Sequence, residues 1–204
     1  MSGISRPQML NEKKGSPLVS AVLTGLFVLL VAVLFLDVWI KATCIGISVV
    51  GDSMYATVED GEFLYARKGN DAERGDVVII DVSKYKQRDN LTGDYIIKRL
   101  IATEGDVVSC VDGVVYVQYR GTDEAVALQE DYTVGKTGDF SERTVGEGEI
   151  YFLGDHRTVS YDSRKLGKYQ KEDIIGIVPE WAIQCKEFTT GLERVRSKIY
   201  GLFN

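Results

Sequence analysis

The chain has 204 residues, 45% of them hydrophobic, which is enough for one membrane anchor and one domain with its own core. A net charge of -6 gives no basic surplus, so the composition does not indicate nucleic-acid binding. Cys44, Cys110 and Cys185 are far apart and His156 is the single histidine, so the sequence lacks the closely spaced ligands of a zinc site. The cysteines fit small buried residues or, outside the cell, one disulfide.

The first predicted element is a membrane-spanning helix. Residues 18–36 carry no charge, and their number approaches the ~20 residues that a helix needs to cross the hydrocarbon core. A cleaved signal peptide would have a shorter apolar region followed by an A-x-A-like site, which residues 37–41 match poorly. We therefore predict an uncleaved anchor, with the chain divided into an N-terminal tail at residues 1–17, a transmembrane anchor at 18–40 and an exposed domain at 41–204.

The charges beside this helix predict its orientation. Arg6, Lys13 and Lys14 precede the apolar stretch and are opposed by Glu12, whereas Asp37 and then Lys41 follow it, so the N-terminal flank is the more basic. Because basic flanks stay on the cytoplasmic side, we expect a cytoplasmic N-terminus and an extracytoplasmic domain in a single-pass membrane protein.

After the anchor, short apolar stretches alternate with turn signals, which is typical of a mostly β domain. The predicted strands lie at residues 45–50, 62–66, 76–82, 95–102, 107–111, 114–119, 150–153 and 174–177. Asp112 and Gly113 form a strong signal for a two-residue hairpin turn. Several short strands at close spacing predict a barrel-like or sandwich domain.

The last predicted element is a C-terminal helix. Apolar residues recur there at helical spacing, at Phe188, Leu192, Val195, Ile199 and Phe203, with Arg194, Arg196 and Lys198 between them. Two interpretations stay open: a surface helix packed on the domain, which we favour, and a basic amphipathic helix lying on lipid.

Lys98 is the first residue with possible chemistry. In a strand, Lys98 shares a face with Ile96 and Leu100, and such a setting removes water from the amine. Desolvation disfavours the ammonium form, and a neutral lysine can act as a general base. The common alternative is a lysine whose long side chain reaches out to water.

Ser53 is the second such residue. Residues 49–54 end an apolar strand in a turn that contains Gly51. A junction of this kind can expose a hydroxyl beside backbone N–H groups that hold an oxyanion, as a nucleophilic serine requires. A serine in such a position is otherwise an ordinary turn residue.

A dense polar loop at residues 154–164 follows a predicted strand. It contains groups that can form ion pairs around two hydroxyls, namely Asp155, Arg157, Asp162 and Arg164 with Ser160 and Ser163. A loop with so many groups that can form two-point hydrogen bonds is more typical of the frame of an active site than of a loop that is simply solvated.

Taken in order, these segments resemble the motifs of type I signal peptidases. G-D-S-M-Y-A-T at residues 51–57 is similar to the family's S-M-x-P-T, and R-G-D-V-V at 74–78 to its R-G-D segment. Y-I-I-K-R at 95–99, with G-D at 105–106, resembles Y-x-K-R followed by G-x-P-G-D. Residues 154–164 resemble G-D-N-R-x-x-S-x-D-S-R.

The resemblance implies roles for individual residues. Ser53 would be the nucleophile of a serine endopeptidase, and Lys98 would be its general base. Ser160 would orient the Lys98 amine, and Asp162 and Arg164 would form a supporting ion pair. The reaction would need no cofactor, and the family's catalytic domain is mostly β.

The resemblance also implies partners. The substrates would be signal peptides of secreted preproteins, bound as an added β-strand and cut after small residues. Cleavage would take place at the outer surface of the cell membrane, where the enzyme is in contact with membrane lipid. The resemblance extends from the anchor to about Pro179, and the single anchor resembles that of the signal peptidases of Gram-positive bacteria. Departures are Ala56 and Glu104 in place of prolines, His156 in place of asparagine and one extra residue before Lys98. The resemblance implies the backbone N–H of Ser53 as one oxyanion donor and leaves the second open, because Gly51 stands where some relatives have a serine hydroxyl.

Other readings compete with this one. A Ser–His enzyme would have to use His156, which is not at the lysine position. A penicillin-binding enzyme would use S-x-x-K at residues 83–86 and K-T-G at 136–138, but the S-D-N motif between them is missing. A self-cleaving repressor would carry a DNA-binding domain. A membrane-anchored binding or assembly module with a degenerate protease fold is the alternative without catalysis.

Overall fold

The computed structural model describes residues 16–201, beginning with the long helix α1 at Pro17–Thr43. The chain divides into two units, Met1–Ala42 and Thr43–Asn204. Helix α1 has a mean hydropathy of 2.8 over its most apolar window, and none of its residues is buried. Its length and composition suffice to cross a membrane, as predicted. Of the charges that predict the orientation, Arg6, Glu12, Lys13 and Lys14 precede residue 16 and lie outside the described residues, whereas Asp37 and Lys41 lie in α1.

The second unit is built mainly from strands, which confirms the predicted mostly β domain. In residues 43–201 the strands are β1 Cys44–Ser48, β2 Phe63–Lys68, β3 Val77–Asp81, β4 Tyr95–Thr103, β5 Val107–Val111, β6 Val114–Gln118, β7 Ala125–Ala127, β8 Phe140–Thr144, β9 Glu149–Leu153, β10 Tyr169–Gln170 and β11 Ile174–Val178. A seven-stranded sheet has the order β1-β2-β11-β3-β4-β9-β10, and a four-stranded sheet has the order β7-β6-β5-β8. Neighbouring strands are antiparallel.

All eight predicted strands are present, with ends shifted by up to two residues. The predicted hairpin joins β5 to β6, where Asp112 and Gly113 have φ of 53° and 85°. Positive φ at both positions matches the twist of the two strands, and glycine adopts it without steric cost. The strands that the sequence did not predict are β7, β8 and β10, and each lies at the edge of its sheet.

The domain core has three apolar clusters. The first surrounds Phe152 and Tyr169, and the second surrounds Met54 and Leu64. The third joins the two sheets and includes Leu153. Strands β4 and β9 are neighbours in the larger sheet and contribute to both the first and the third cluster. Their burial fixes the positions of the polar residues that they carry.

Three short or surface helices complete the domain: α2 Lys86–Asp89, α3 Glu180–Gln184 and α4 Lys186–Gly201. Helix α4 confirms the predicted C-terminal helix, except for Phe203, which lies outside the described residues. The helix packs on the domain, as we favoured, but it docks through Thr189 and Thr190 and leaves its apolar residues exposed. The three cysteines are free thiols.

Candidate active site

Ser53 lies in a tight turn that follows β1. Gly51 has φ of 84°, and its N–H donates to Oδ1 of Asp60 at 2.7 Å, which closes the turn. The fully buried side chain of Met54 holds the turn on the second apolar cluster. Ser53 is therefore half-buried, with its hydroxyl directed into the domain and its backbone on a fixed turn.

Lys98 lies on β4, a strand enclosed by two neighbours. Its Cα pairs with that of Val78 on β3, and the adjacent Arg99 pairs with Leu153 on β9. Lys98 is only 4% exposed, so its amine has little contact with water. This burial lowers the pKa of Lys98 from 10.5 to about 8, against the opposing attraction of Asp162 and Asp155.

The structure brings Ser53 and Lys98 together. Nζ of Lys98 donates a 2.7 Å hydrogen bond to Oγ of Ser53 and another of 2.7 Å to the backbone oxygen of Ile97. The second bond fixes the direction of the amine. A neutral amine at this distance has its lone pair within reach of the Ser53 proton, which is the geometry that a general base requires.

The loop after β9 begins beside Lys98. Leu153 pairs with Arg99 at the end of an antiparallel ladder, so the loop starts at Gly154 next to the strand end that carries Lys98. A side chain at Gly154 would clash with Oγ of Ser160 and would lie 2.5 Å from the backbone oxygen of Ser53. Gly154 was not among the predicted site residues, and the close approach explains why a glycine is needed there.

Asp155 ties this loop to the turn that carries Ser53. Arg99 donates two hydrogen bonds to the fully buried Asp155, of 2.9 and 2.6 Å, and Oγ1 of Thr57 donates a third of 2.5 Å. The N–H of His156 also donates to the backbone oxygen of Ser53 at 3.1 Å. Thr57 and Arg99 were not among the predicted site residues, although both lie inside the quoted motifs.

The predicted supporting residues lie close by. Arg164 forms a two-point ion pair with Asp162 at 2.8 Å. Burial raises the pKa of Asp162, but the bonds from Arg164 and from the N–H of Gly154 outweigh it, so the pKa is lowered and the carboxylate stays ionised. Ser160 is 1% exposed, and its Oγ makes no contact of full hydrogen-bond geometry within residues 16–201, although the hydroxyl is near enough to Asp162 to help lower the pKa of that carboxyl. Lys98 is not bonded to it, so the predicted orienting contact stays a prediction.

The competing sites are not assembled at Ser53. Nδ1 of His156 contacts the backbone oxygen of Asp52 at 3.2 Å, and no bond to Oγ of Ser53 occurs in the described part of the chain. Neither residues 83–86 nor residues 136–138 line the cleft in which Ser53 lies. No group of three potential metal ligands occurs among residues 16–201.

A cleft of about 980 Å³ opens beside Ser53 and Lys98. One wall is β1, which is an edge strand and therefore has free backbone groups on one side. The other wall is the start of β4, which pairs with β9 only from Arg99 onwards. Val159 and Tyr161 of the loop after β9 also line the cleft. An extended chain between the two walls would have backbone partners on both sides.

Comparison with known proteins identifies the family. The sequence matches the family described as "Signal peptidase, peptidase S26" over residues 19–181, which is most of the chain. This chain belongs to the signal peptidase family. The match includes both Ser53 and Lys98, and it ends before α4.

Several relatives of this chain are signal peptidases of bacteria. The chain is 33% identical over 138 residues to "Signal peptidase I T" of Bacillus subtilis strain 168, covering 63% of this chain and 68% of that protein. It is 34% identical over 138 residues to "Signal peptidase I" of Bacillus licheniformis, covering 63% and 70%. A solved signal peptidase I from Enterococcus faecalis V583 is 28% identical, with a TM-score of 0.42 over 53% of this chain and 97% of that one.

Departures from the usual signal peptidase motifs fall outside the Ser53–Lys98 pair. Glu104 replaces a proline, and its two oxygens accept bonds from Arg120 at 2.9 Å and from the N–H of Gly148 at 3.0 Å. Ala56 is exposed on the turn after Ser53. The extra residue before Lys98 lies in the regular part of β4 that pairs with β3.

Proposed function

We propose that this chain removes signal peptides from exported preproteins as a serine endopeptidase, with Ser53 as nucleophile and Lys98 as general base. The observation that carries the proposal is the 2.7 Å contact between Nζ of Lys98 and Oγ of Ser53, made by a lysine whose burial lowers its pKa to about 8. The names of the relatives supply the substrate class, since they are signal peptidases.

The reaction would proceed by acyl transfer. The neutral Lys98 amine takes the proton of Ser53 as Oγ attacks the scissile carbonyl, and the resulting ammonium protonates the leaving amine. The peptide's new N-terminus departs, and the signal peptide remains as an ester on Ser53. Lys98 then deprotonates a water molecule that hydrolyses this ester and restores both residues.

The oxyanion would be held by the backbone N–H of Ser53. This N–H has no hydrogen-bond partner within residues 16–201, so it is available to a ligand. A single such donor contributes roughly 3–4 kcal/mol to transition-state stabilisation in other serine proteases. Gly51 has no hydroxyl that could serve as a second donor.

The signal peptide would bind as an extended strand between β1 and the start of β4. Both walls of the cleft present backbone groups that lack a partner strand on that side. Backbone pairing is independent of sequence, so selectivity must come from the side-chain pockets next to Ser53, where small residues fit. We propose cleavage after small residues on this basis and on the family resemblance.

Helix α1 would anchor the enzyme in the cell membrane, with the N-terminus in the cytoplasm and the peptidase domain outside. Its 27 residues span about 40 Å at 1.5 Å per residue, more than the hydrocarbon core of about 30 Å. The cations Arg6, Lys13 and Lys14 support this orientation. Membrane lipid and exported preproteins would then be the partners, and nucleic acid would not.

Cleavage of a model preprotein in detergent tests the proposal. The wild type should cut it after a small residue, as N-terminal sequencing of the product would record, whereas Ser53→Ala and Lys98→Ala should lose activity by about 10⁴-fold or more. Ser83→Ala is the matched control, because Ser83 is exposed and outside the cleft, and it should retain full activity. Normal cleavage by Ser53→Ala would overturn the proposal. A folded wild type that leaves several preproteins uncut would favour the non-catalytic binding module.

A further inference from the structure

Helix α4 carries an apolar stripe that faces away from the domain. The stripe consists of Phe188, Leu192, Val195 and Ile199, which are 69%, 55%, 56% and 50% exposed. At 100° per residue, these four side chains fall within a sector of about 60° on the helix. A soluble surface helix would turn such a sector toward its own core.

The orientation of α4 is fixed by polar contacts on its other side. Oγ1 of Thr189 donates to the backbone oxygen of Phe63 at 2.7 Å, and Oγ1 of Thr190 accepts from the N–H of Phe63 at 2.8 Å. Both threonines are buried. The same helix therefore cannot rotate its apolar stripe inward without breaking two hydrogen bonds to β2.

Basic residues flank the stripe. Arg196 and Lys198 lie roughly a quarter turn to either side of its centre at 100° per residue. Helix α4 has four cations and two anions, although the whole chain has a net charge of -6. An apolar sector bordered by long basic side chains suits the boundary between acyl chains and anionic headgroups, because these side chains reach outward to phosphate.

The size of the stripe argues against a protein partner. A helix of 16 residues is about 24 Å long, and a stripe about 10 Å wide then offers on the order of 240 Å². A stable protein interface needs about 800 Å² on each partner. Contact with lipid does not require an area of about 800 Å², because the proposed anchor α1 already holds the chain at the membrane and the stripe only adds to that attachment.

We propose that α4 lies on the membrane surface and inserts this stripe into the acyl-chain boundary of an anionic leaflet, as a second attachment besides α1. The inference rests on the proposed anchoring by α1, and it goes beyond the family resemblance because the family match ends at residue 181. The helix then packs on the domain through its threonines and contacts lipid through its stripe, so both interpretations of the sequence apply, each to one face of α4.

Site-specific fluorescence on the full chain tests the proposal. The background carries Cys44→Ser and Cys185→Ser, while the buried Cys110 is retained. One variant adds Val195→Cys on the stripe, and a second adds Ser197→Cys on the opposite side of the same exposed helix. Each added cysteine is labelled with a polarity-sensitive dye. The proteins are reconstituted into vesicles of phosphatidylcholine with phosphatidylglycerol, with and without lipids that carry a quencher on the acyl chain. Co-flotation with the vesicles checks the anchoring by α1.

We expect lipid quenching of the label at 195 to exceed that at 197 by about twofold or more. Equal, weak quenching at the two positions in co-floating protein would overturn the proposal for α4 alone. Shielding at 195 that depends on the protein-to-lipid ratio, without lipid quenching, would assign the stripe to a second copy and also overturn it. Failure to co-float would overturn both attachments. No readout here requires catalysis, so activity of Ser53→Ala would affect the proposed function only.

Discussion

The Oγ of Ser160 lies so close to Gly154 that no side chain can be placed there. Gly154 also abuts the backbone oxygen of Ser53, and it follows Leu153, which pairs with the neighbour of Lys98, Arg99. One residue without a side chain therefore allows two proposed site residues from separate segments, Ser53 and Ser160, to approach each other. The arrangement makes the spacing of the site depend on a glycine that has no chemistry of its own.

Gly154→Ala should lower kcat by about 10²-fold or more, because the new methyl group would push Ser53 and Ser160 apart and misplacement by about 1 Å has such an effect. The matched control is Gly138→Ala, since nothing lies within 4 Å of a Cβ at Gly138. Preprotein cleavage and thermal unfolding of both variants would be measured. A Gly154→Ala enzyme with wild-type kcat would show that the contact does not position the site.

Ser160→Ala should lower activity without lowering stability. If the hydroxyl orients Lys98 during the reaction, its loss should reduce kcat by about 10- to 100-fold. The same hydroxyl is buried and makes no contact of full hydrogen-bond geometry in the described residues, so its removal should leave the free energy of unfolding unchanged or raise it slightly. Single-turnover kinetics and urea titration separate the two effects. Unchanged kcat would contradict the predicted orienting role.

Activity should rise with pH through about 8. Only the neutral amine of Lys98 can accept the Ser53 proton, and burial lowers its pKa to about 8, so the neutral fraction grows about tenfold between pH 7 and pH 9. The profile of kcat/KM against pH checks this. Tyr161→Phe, which removes an exposed titratable group from the cleft wall, should leave the midpoint unchanged. A flat profile between pH 7 and pH 9 would contradict Lys98 as the base.

Lys98→Met should stabilise the fold while abolishing activity. The unfolded lysine has a pKa of 10.5 and the folded one of about 8, so below pH 8 the buried ammonium costs up to about 3 kcal/mol. Stability of the wild type should therefore rise between pH 8 and pH 10.5, and the advantage of Lys98→Met should shrink over that window. Chemical denaturation at pH 7 and pH 10 measures both, with the exposed Lys136→Met as control. A destabilised Lys98→Met at pH 7 would show that burial of the amine is not costly.

Local patterns in the sequence were sufficient for the apolar helix α1 and for eight strands, whereas Ser53 and Lys98 were singled out by the resemblance of four ordered motifs. Helix and strand periodicity and turn residues act over a few positions, and the motifs keep their spacing along the chain. The strands that were missed, β7, β8 and β10, are sheet edges. Strands β7 and β8 are largely exposed, so their sequences show weak alternation of apolar and polar residues, and β10 has two residues, too few for an alternation to be recognised.

Tertiary structure alone decided three other features: the depth at which Lys98 is buried, the meeting of Gly154 with Ser53 and Ser160, and the outward direction of the stripe on α4. The apolar spacing of α4 predicts a helix with one apolar face, but the two threonines bonded to β2 determine which face is covered. Burial and close approach depend on which distant segments pack together. No local pattern contains that information, because the free energy of such contacts arises only when the segments meet.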